Sequence, residues 1–185
     1  LTIVAVVSCS SAVPTETPGV ERLGKYLLRE KAPEVEFILG YKFAASNLGD
    51  EWLLLEVALS APVGQTATMK RENIFVRTPD GTRIPCATQK EFNEAYGSMR
   101  SKITQANVMR DPMDYWPAQR EACPVQLFVS PTEGVAFDEV SVNEYRACQG
   151  KLFFDVPGGV QPGRWVFGVD FEESDIRIPF VLEME

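Results

Sequence analysis

The chain has 185 residues, with 18 Lys and Arg against 26 Asp and Glu, no histidine, and a formal net charge of −8. At 45% hydrophobic and 24% charged residues, it has the composition of a domain that buries a core. Without histidine there is no Ser–His–Asp or Cys–His catalysis and no histidine-ligated zinc, copper or iron, and an acidic balance without a basic run argues against nucleic acid.

Residues 1–8 are uncharged and mostly apolar, and Cys9, Ser10 and Ser11 follow directly. The stretch Val6-Val7-Ser8-Cys9 matches the lipobox pattern and resembles the tail of a bacterial lipoprotein signal peptide. The logic is a greasy segment, a small residue that fits the peptidase, and a thiol that accepts a diacylglyceryl group. The competing reading is a buried first strand, because Thr2 to Val7 is β-prone. The lipoprotein reading makes 1–8 a signal remnant, Cys9 the lipidated residue and 9–33 a polar, proline-bearing tether. A globular domain then occupies 34–185. No other apolar run approaches the ~20 residues of a membrane span. The protein is thus expected outside the cytoplasm, held to the outer or cytoplasmic membrane of the cell envelope by its lipid.

Segment 20–33 reads as either a short helix or a lead-in strand through Val20, Leu23, Leu27 and Leu28. From Glu34 onward the pattern has period two. Phe37, Leu39, Tyr41 and Phe43 alternate, as do Leu53, Leu55, Val57 and Leu59. Ile74 and Val76 follow, then Val125, Leu127 and Val129; Leu152, Phe154 and Val156; Trp165, Phe167 and Val169; and Ile176, Ile178, Phe180 and Leu182. Such alternation marks strands with one face in a core. Asn47–Asp50 and Thr78-Pro-Asp-Gly81 read as turns, the latter joining a strand at 72–77 to a short one at 82–87. Pro179 assigns the last strand to a sheet edge. The expected fold is all-β, a sandwich of about seven to eight antiparallel strands.

Residues 88–122 break the pattern. Phe92, Tyr96, Met99, Ile103 and Ala106 are spaced 4, 3, 4, 3, a helical stripe, and Thr88 with Glu91 fits a capping box. Residues 109–122 hold two prolines and read as an irregular loop. Aromatic and arginine side chains are favoured contact anchors, so Arg110, Tyr115, Trp116 and Arg120 are the candidate partner-binding residues. The competing reading folds Trp116 back to cap one end of the sandwich.

If Cys9 carries lipid, Cys86, Cys123 and Cys148 remain for one disulfide. Cys86–Cys123 is preferred because it would bracket the insertion; Cys86–Cys148 and Cys123–Cys148 are the alternatives. The leftover cysteine has no base to activate it and reads as buried and inert.

Gly150-Lys-Leu-Phe-Phe-Asp-Val-Pro157 followed by Pro162-Gly-Arg-Trp165, after the Leu- and Val-rich stretch Trp52 to Ser60 and the Thr-Pro-Asp-Gly turn, resembles the immunoglobulin-like, immunoprotective extracellular domain of many bacterial lipoproteins. The resemblance spans 34–185 without 88–122. It implies an immunoglobulin-like sandwich displayed at the envelope and brings no catalytic residues.

Asp170, Glu172, Glu173 and Asp175 form the tightest acidic cluster, which reads as a solvated turn or, as the alternative, a metal-dependent or carboxylate-based hydrolase site. Met99, Met109 and Met113 read as packing, not as a copper site. No phosphate loop, nucleophile elbow or metalloprotease motif occurs in the sequence, and no cofactor or metal is expected. The expected function is therefore a non-catalytic, membrane-anchored binding module for an envelope protein or cell-wall component.

Overall fold

A computed structural model describes residues 17–184. Its elements are β1 (Val20–Gly24), β2 (Leu27–Lys31), β3 (Glu36–Gly40), α1 (Lys42–Ala45), β4 (Trp52–Ser60), β5 (Thr66–Lys70), β6 (Ile74–Arg77), β7 (Arg83–Pro85), α2 (Gln89–Met109), β8 (Glu121–Pro124), β9 (Glu139–Asn143), β10 (Arg146–Asp155), β11 (Gly163–Asp170) and β12 (Asp175–Leu182). The protein is mostly β. Three sheets run β1-β2-β3-β4-β10-β8, β12-β11-β6-β7 and β5-β9.

The alternating residues build the shared core as their period demands. Phe37, Leu53, Leu55, Val57 and Leu59 of the six-stranded sheet join Val76, Trp165, Phe167, Ile176 and Ile178 of the four-stranded sheet in one buried cluster. The Phe37 and Phe167 rings stack 5.2 Å apart across it. Fully buried Trp165 satisfies its indole by donating to the Gln161 carbonyl at 2.9 Å. The Thr78–Gly81 turn joins β6 to β7 as expected, with Gly81 at φ +88°. β12, which carries Pro179, lies at a sheet edge as expected, the place where a strand proline is tolerated.

Several expectations are corrected. Residues 20–31, placed above within the 9–33 tether, form the β1–β2 hairpin at one edge of the large sheet with Leu28 in the core, so the lead-in strand and not the short helix describes this segment. Twelve strands form among the described residues, not seven or eight. Not all pairings are antiparallel, because β8 runs parallel to β10. The alternation through Phe43 stops at Gly40, where the chain turns into α1 and delivers Phe43 to the other face of the sheet. The strand expected at 125–129 lies earlier, at β8. After Val125 the chain leaves the sheet for α2, where the Gln89 amide donates to the Val129 carbonyl at 2.7 Å and accepts its N–H at 3.1 Å. The ribbon β5–β9 has no counterpart in the reading.

The large sheet is apolar on both faces. Ile38, Leu54, Ala58, Ala147 and Phe153 point away from the core, and residues 88–122 cover them. α2 begins where its sequence dictates: the Thr88 hydroxyl accepts the Glu91 N–H, and the Glu91 carboxylate accepts the Thr88 N–H at 2.7 Å. Its stripe lays Phe92, Met99 and Ala106 onto Leu54, Phe43 and Phe153. Phe92 sits 4.8 Å from Phe153 and 5.2 Å from Phe128, ring centre to ring centre. Pro112 biases its predecessor away from helix, and α2 ends at Met109. The loop then drops Met113 and Trp116 onto Leu27, Ile38, Ala58 and Ala147.

The outer face of the four-stranded sheet is closed differently. Phe75, 1% exposed, lies under the guanidinium groups of Arg83 at 3.7 Å, Arg177 at 4.9 Å and Arg77 at 5.6 Å.

Candidate functional site

Between the α2 cluster and the Met113–Trp116 cluster the outer face of the large sheet stays open. A recess of about 560 Å³ lies there, lined by Glu56 and Val57 of β4, Gln149, Gly150 and Lys151 of β10, Ala122 of β8, and Arg110 to Asp114 of the loop. Strand geometry fixes its floor. Glu56 lies opposite Lys151 in the antiparallel β4–β10 register, and both side chains point outward. The Lys151 ammonium is 3.6 Å from the Glu56 carboxylate and donates to Asn107 of α2 at 2.6 Å. At the rim, Lys42 pairs with Asp111 at 2.8 Å and so ties the loop to α1.

Glu56 is 9% exposed. Burial raises its pKa above the ordinary 4.5, and the opposing pull of Lys151 is the smaller effect. A carboxylate in this position costs the fold free energy when ionised. Such a group lining a cleft is a signature of a binding or reactive site. The recess therefore offers a largely buried carboxylate on its floor and charges of both signs at its rim.

The expected contact residues divide. Arg110 lines this recess and is exposed. Tyr115, 42% exposed, lines a neighbouring hollow with Lys42, Asp111 and Pro112. Trp116 is buried at 7% exposure and packs on the sheet, so the reading that folds it back matches its position, although it covers a sheet face and not an end of the fold. Its indole nitrogen is buried without a hydrogen-bond partner. Arg120 turns inward and donates to the Ser60 hydroxyl. The four residues therefore do not form one surface.

The preferred disulfide is corrected. Cys123 bonds Cys148, not Cys86, because β8 and β10 run parallel in a register that sets Cys123 directly beside Cys148, Cα to Cα 4.3 Å. Cys86 follows β7 in the four-stranded sheet and stays free and buried, its thiol pushed up to about 12 by burial. Cys9 lies outside the described residues.

The acidic turn at 170–175 does not converge on one point. Asp170 is held by Arg177 and lies 3.8 Å from Arg83, while Asp175 is 3.4 Å from Arg177. The Glu173 N–H and the Ser174 hydroxyl donate instead to buried Glu34. Among the described residues no group of three or more Cys, Asp or Glu side chains is placed to hold a metal ion.

Sequence reasoning missed Glu56, Lys151, Asp111 and Asp114. The signal available was Glu56 itself, the single charge within the apolar run Trp52–Ser60. No protein-family model matches the chain, and no curated protein or solved structure matches it either.

Proposed function

We propose that the protein is an extracytoplasmic lipoprotein, anchored through Cys9, that displays a non-catalytic binding module of immunoglobulin-like sandwich type. The recess on the outer face of the large sheet is its contact region. The observation that carries this reading is the Cys123–Cys148 disulfide. A disulfide persists in an oxidising compartment, which is where a lipobox would deliver the chain. Among the described residues no helix is long and apolar enough to cross a membrane. The proposed attachment is the acyl group on Cys9, which holds a chain at a membrane surface without spanning it. The two facing sheets support the sandwich class. The immunoglobulin-like assignment rests on the motif around Gly150–Pro157, and the parallel β8 and the covering helix are departures from it.

The test follows the lipid. The full chain, expressed with a complete signal in a bacterium fed labelled fatty acid, is expected to carry label and to sediment with membranes. Cys9→Ala is expected to lose both. An unlabelled wild-type chain in the soluble fraction would refute the anchor.

A further inference from the structure

Four polar or charged residues are buried among the described ones: Glu34, Glu56, Ser60 and Arg71. The fold accounts for three of them. Glu34 accepts the Glu173 N–H at 2.8 Å and the Ser174 hydroxyl at 3.0 Å. Ser60 donates to the Arg146 carbonyl at 2.6 Å and accepts from Arg120. Arg71 donates to the carbonyls of Ala87, Leu127 and Phe137. Glu56 differs. Its nearest charged neighbour, Lys151, stands at 3.6 Å, beyond a good hydrogen bond, and its carboxylate faces a recess wide enough for a small solute.

The charges around that recess can be sorted by subtraction. Lys151 is committed to Glu56 and Asn107, and Asp111 to Lys42. Arg110 and Asp114 line the same recess, are exposed, and have no ion pair within 4.0 Å among the described residues. What is left over is a carboxylate on the floor whose nearest cation stands at 3.6 Å and which opens to the recess, with a cation and an anion at the rim. A solute that pairs with Glu56 and Arg110 carries a hydrogen-bond-donating cation and a carboxylate together, while exposed Asp114 keeps its water.

From this we infer that the recess binds a zwitterion bearing a primary ammonium and a carboxylate, that is, a free amino acid or a short unblocked peptide. The ammonium lies against Glu56 and the carboxylate against Arg110. The inference rests on the binding-module reading and names the ligand class of that same site. The low dielectric of the floor strengthens the Glu56–ammonium hydrogen bonds, and the guanidinium of Arg110 suits a planar carboxylate. No bond is made or broken.

The test titrates isotopically labelled protein, followed by amide NMR, with four probes: L-alanine, trialanine, N-acetyl-trialanine and trialanine amide. The expected result is saturable shifts at residues lining the recess with at least one of the two zwitterions. Trialanine binding alone indicates a peptide, and comparable L-alanine binding indicates that a free amino acid suffices. Acetylation and amidation should each weaken trialanine binding about ten- to a hundredfold, as loss of a charge-assisted hydrogen bond predicts. Glu56→Gln should abolish the penalty for acetylation, and Arg110→Gln the penalty for amidation. Unchanged spectra away from the recess would show that both variants fold. Equal binding of blocked and unblocked peptides, or no shift with either zwitterion, overturns the ligand assignment. The anchor reading is tested separately by fatty-acid labelling at Cys9, which does not involve the recess.

Discussion

Phe92→Ala tests whether residues 88–122 belong to the fold or hang from it. Phe92 is 3% exposed and touches three aromatic rings, Tyr96 at 5.6 Å, Phe128 at 5.2 Å and Phe153 at 4.8 Å. Phe153 belongs to β10, an interior strand of the large sheet, and Phe128 to the segment that leaves β8, so the ring joins helix, sheet and loop. Truncating a buried phenylalanine costs about 3–5 kcal/mol once the residual cavity is included. In a chain of this size each 1 kcal/mol lowers Tm by about 2–4 °C, so a fall of about 6–20 °C is expected. Val108→Ala, at an 83% exposed site on the same helix, should stay within about 0.5 kcal/mol of the parent. Calorimetry gives the global transition, and hydrogen exchange of α2 and β10 amides shows whether they open together. If α2 amides lose protection while Tm holds, the insertion is an appendage and the account of the outer face is wrong.

Other outcomes follow from the same geometry. Cys148→Ser should cost about 3.5 kcal/mol from loop-closure entropy over the 25-residue separation, while native Cys86, buried and with its thiol pushed up to about 12, should react with iodoacetamide only on unfolding. Trp165→Phe should destabilise more than Trp116→Phe, because the Trp165 indole has a carbonyl partner and the Trp116 indole has none; denaturant midpoints of the two variants decide it. Glu56 has its pKa raised by burial, so the folded state holds its proton more tightly than the unfolded state and stability is lost as pH rises from 4.5 through the folded value. Glu56→Gln removes that loss. Its stability relative to the parent should therefore increase with pH across that window in urea titrations, and a relative decrease would mean that Lys151 outweighs burial.

Most of the alternating strands were legible because each places one face in the shared core; the alternation at 125–129 misled because the chain leaves the sheet after Val125, and that through Phe43 because α1 begins at Lys42. The helix was legible from its stripe and its Thr88–Glu91 box. The outer-face packing was not read, although Trp52–Ser60 is nearly continuous in apolar residues, the mark of a strand buried on both sides. Reading Leu53, Leu55, Val57 and Leu59 alone left Leu54 and Ala58 without a partner, and so hid the reason for α2. Cys123–Cys148 stood among the three possible pairings but was not the preferred one, because pairing depends on which strand lies beside β10, and the parallel approach of β8 across the insertion leaves no local trace. The recess needs Glu56, Lys151 and Arg110 from three separate segments. Only the lone charge in β4 hinted at it.

The most direct measurement of the central claim, an exported, lipidated and bridged module, is an intact mass. Cells are quenched in acid, the chain is unfolded without reductant, and thiols are alkylated before weighing. Of the four cysteines, Cys9 would be blocked by lipid and Cys123 and Cys148 by their bond, leaving Cys86. One alkyl group per chain is expected, together with the mass of the acyl anchor. Two alkyl groups would show a bridged chain without its lipid. Four would show a reduced chain that never left the cytoplasm, and would contradict the account.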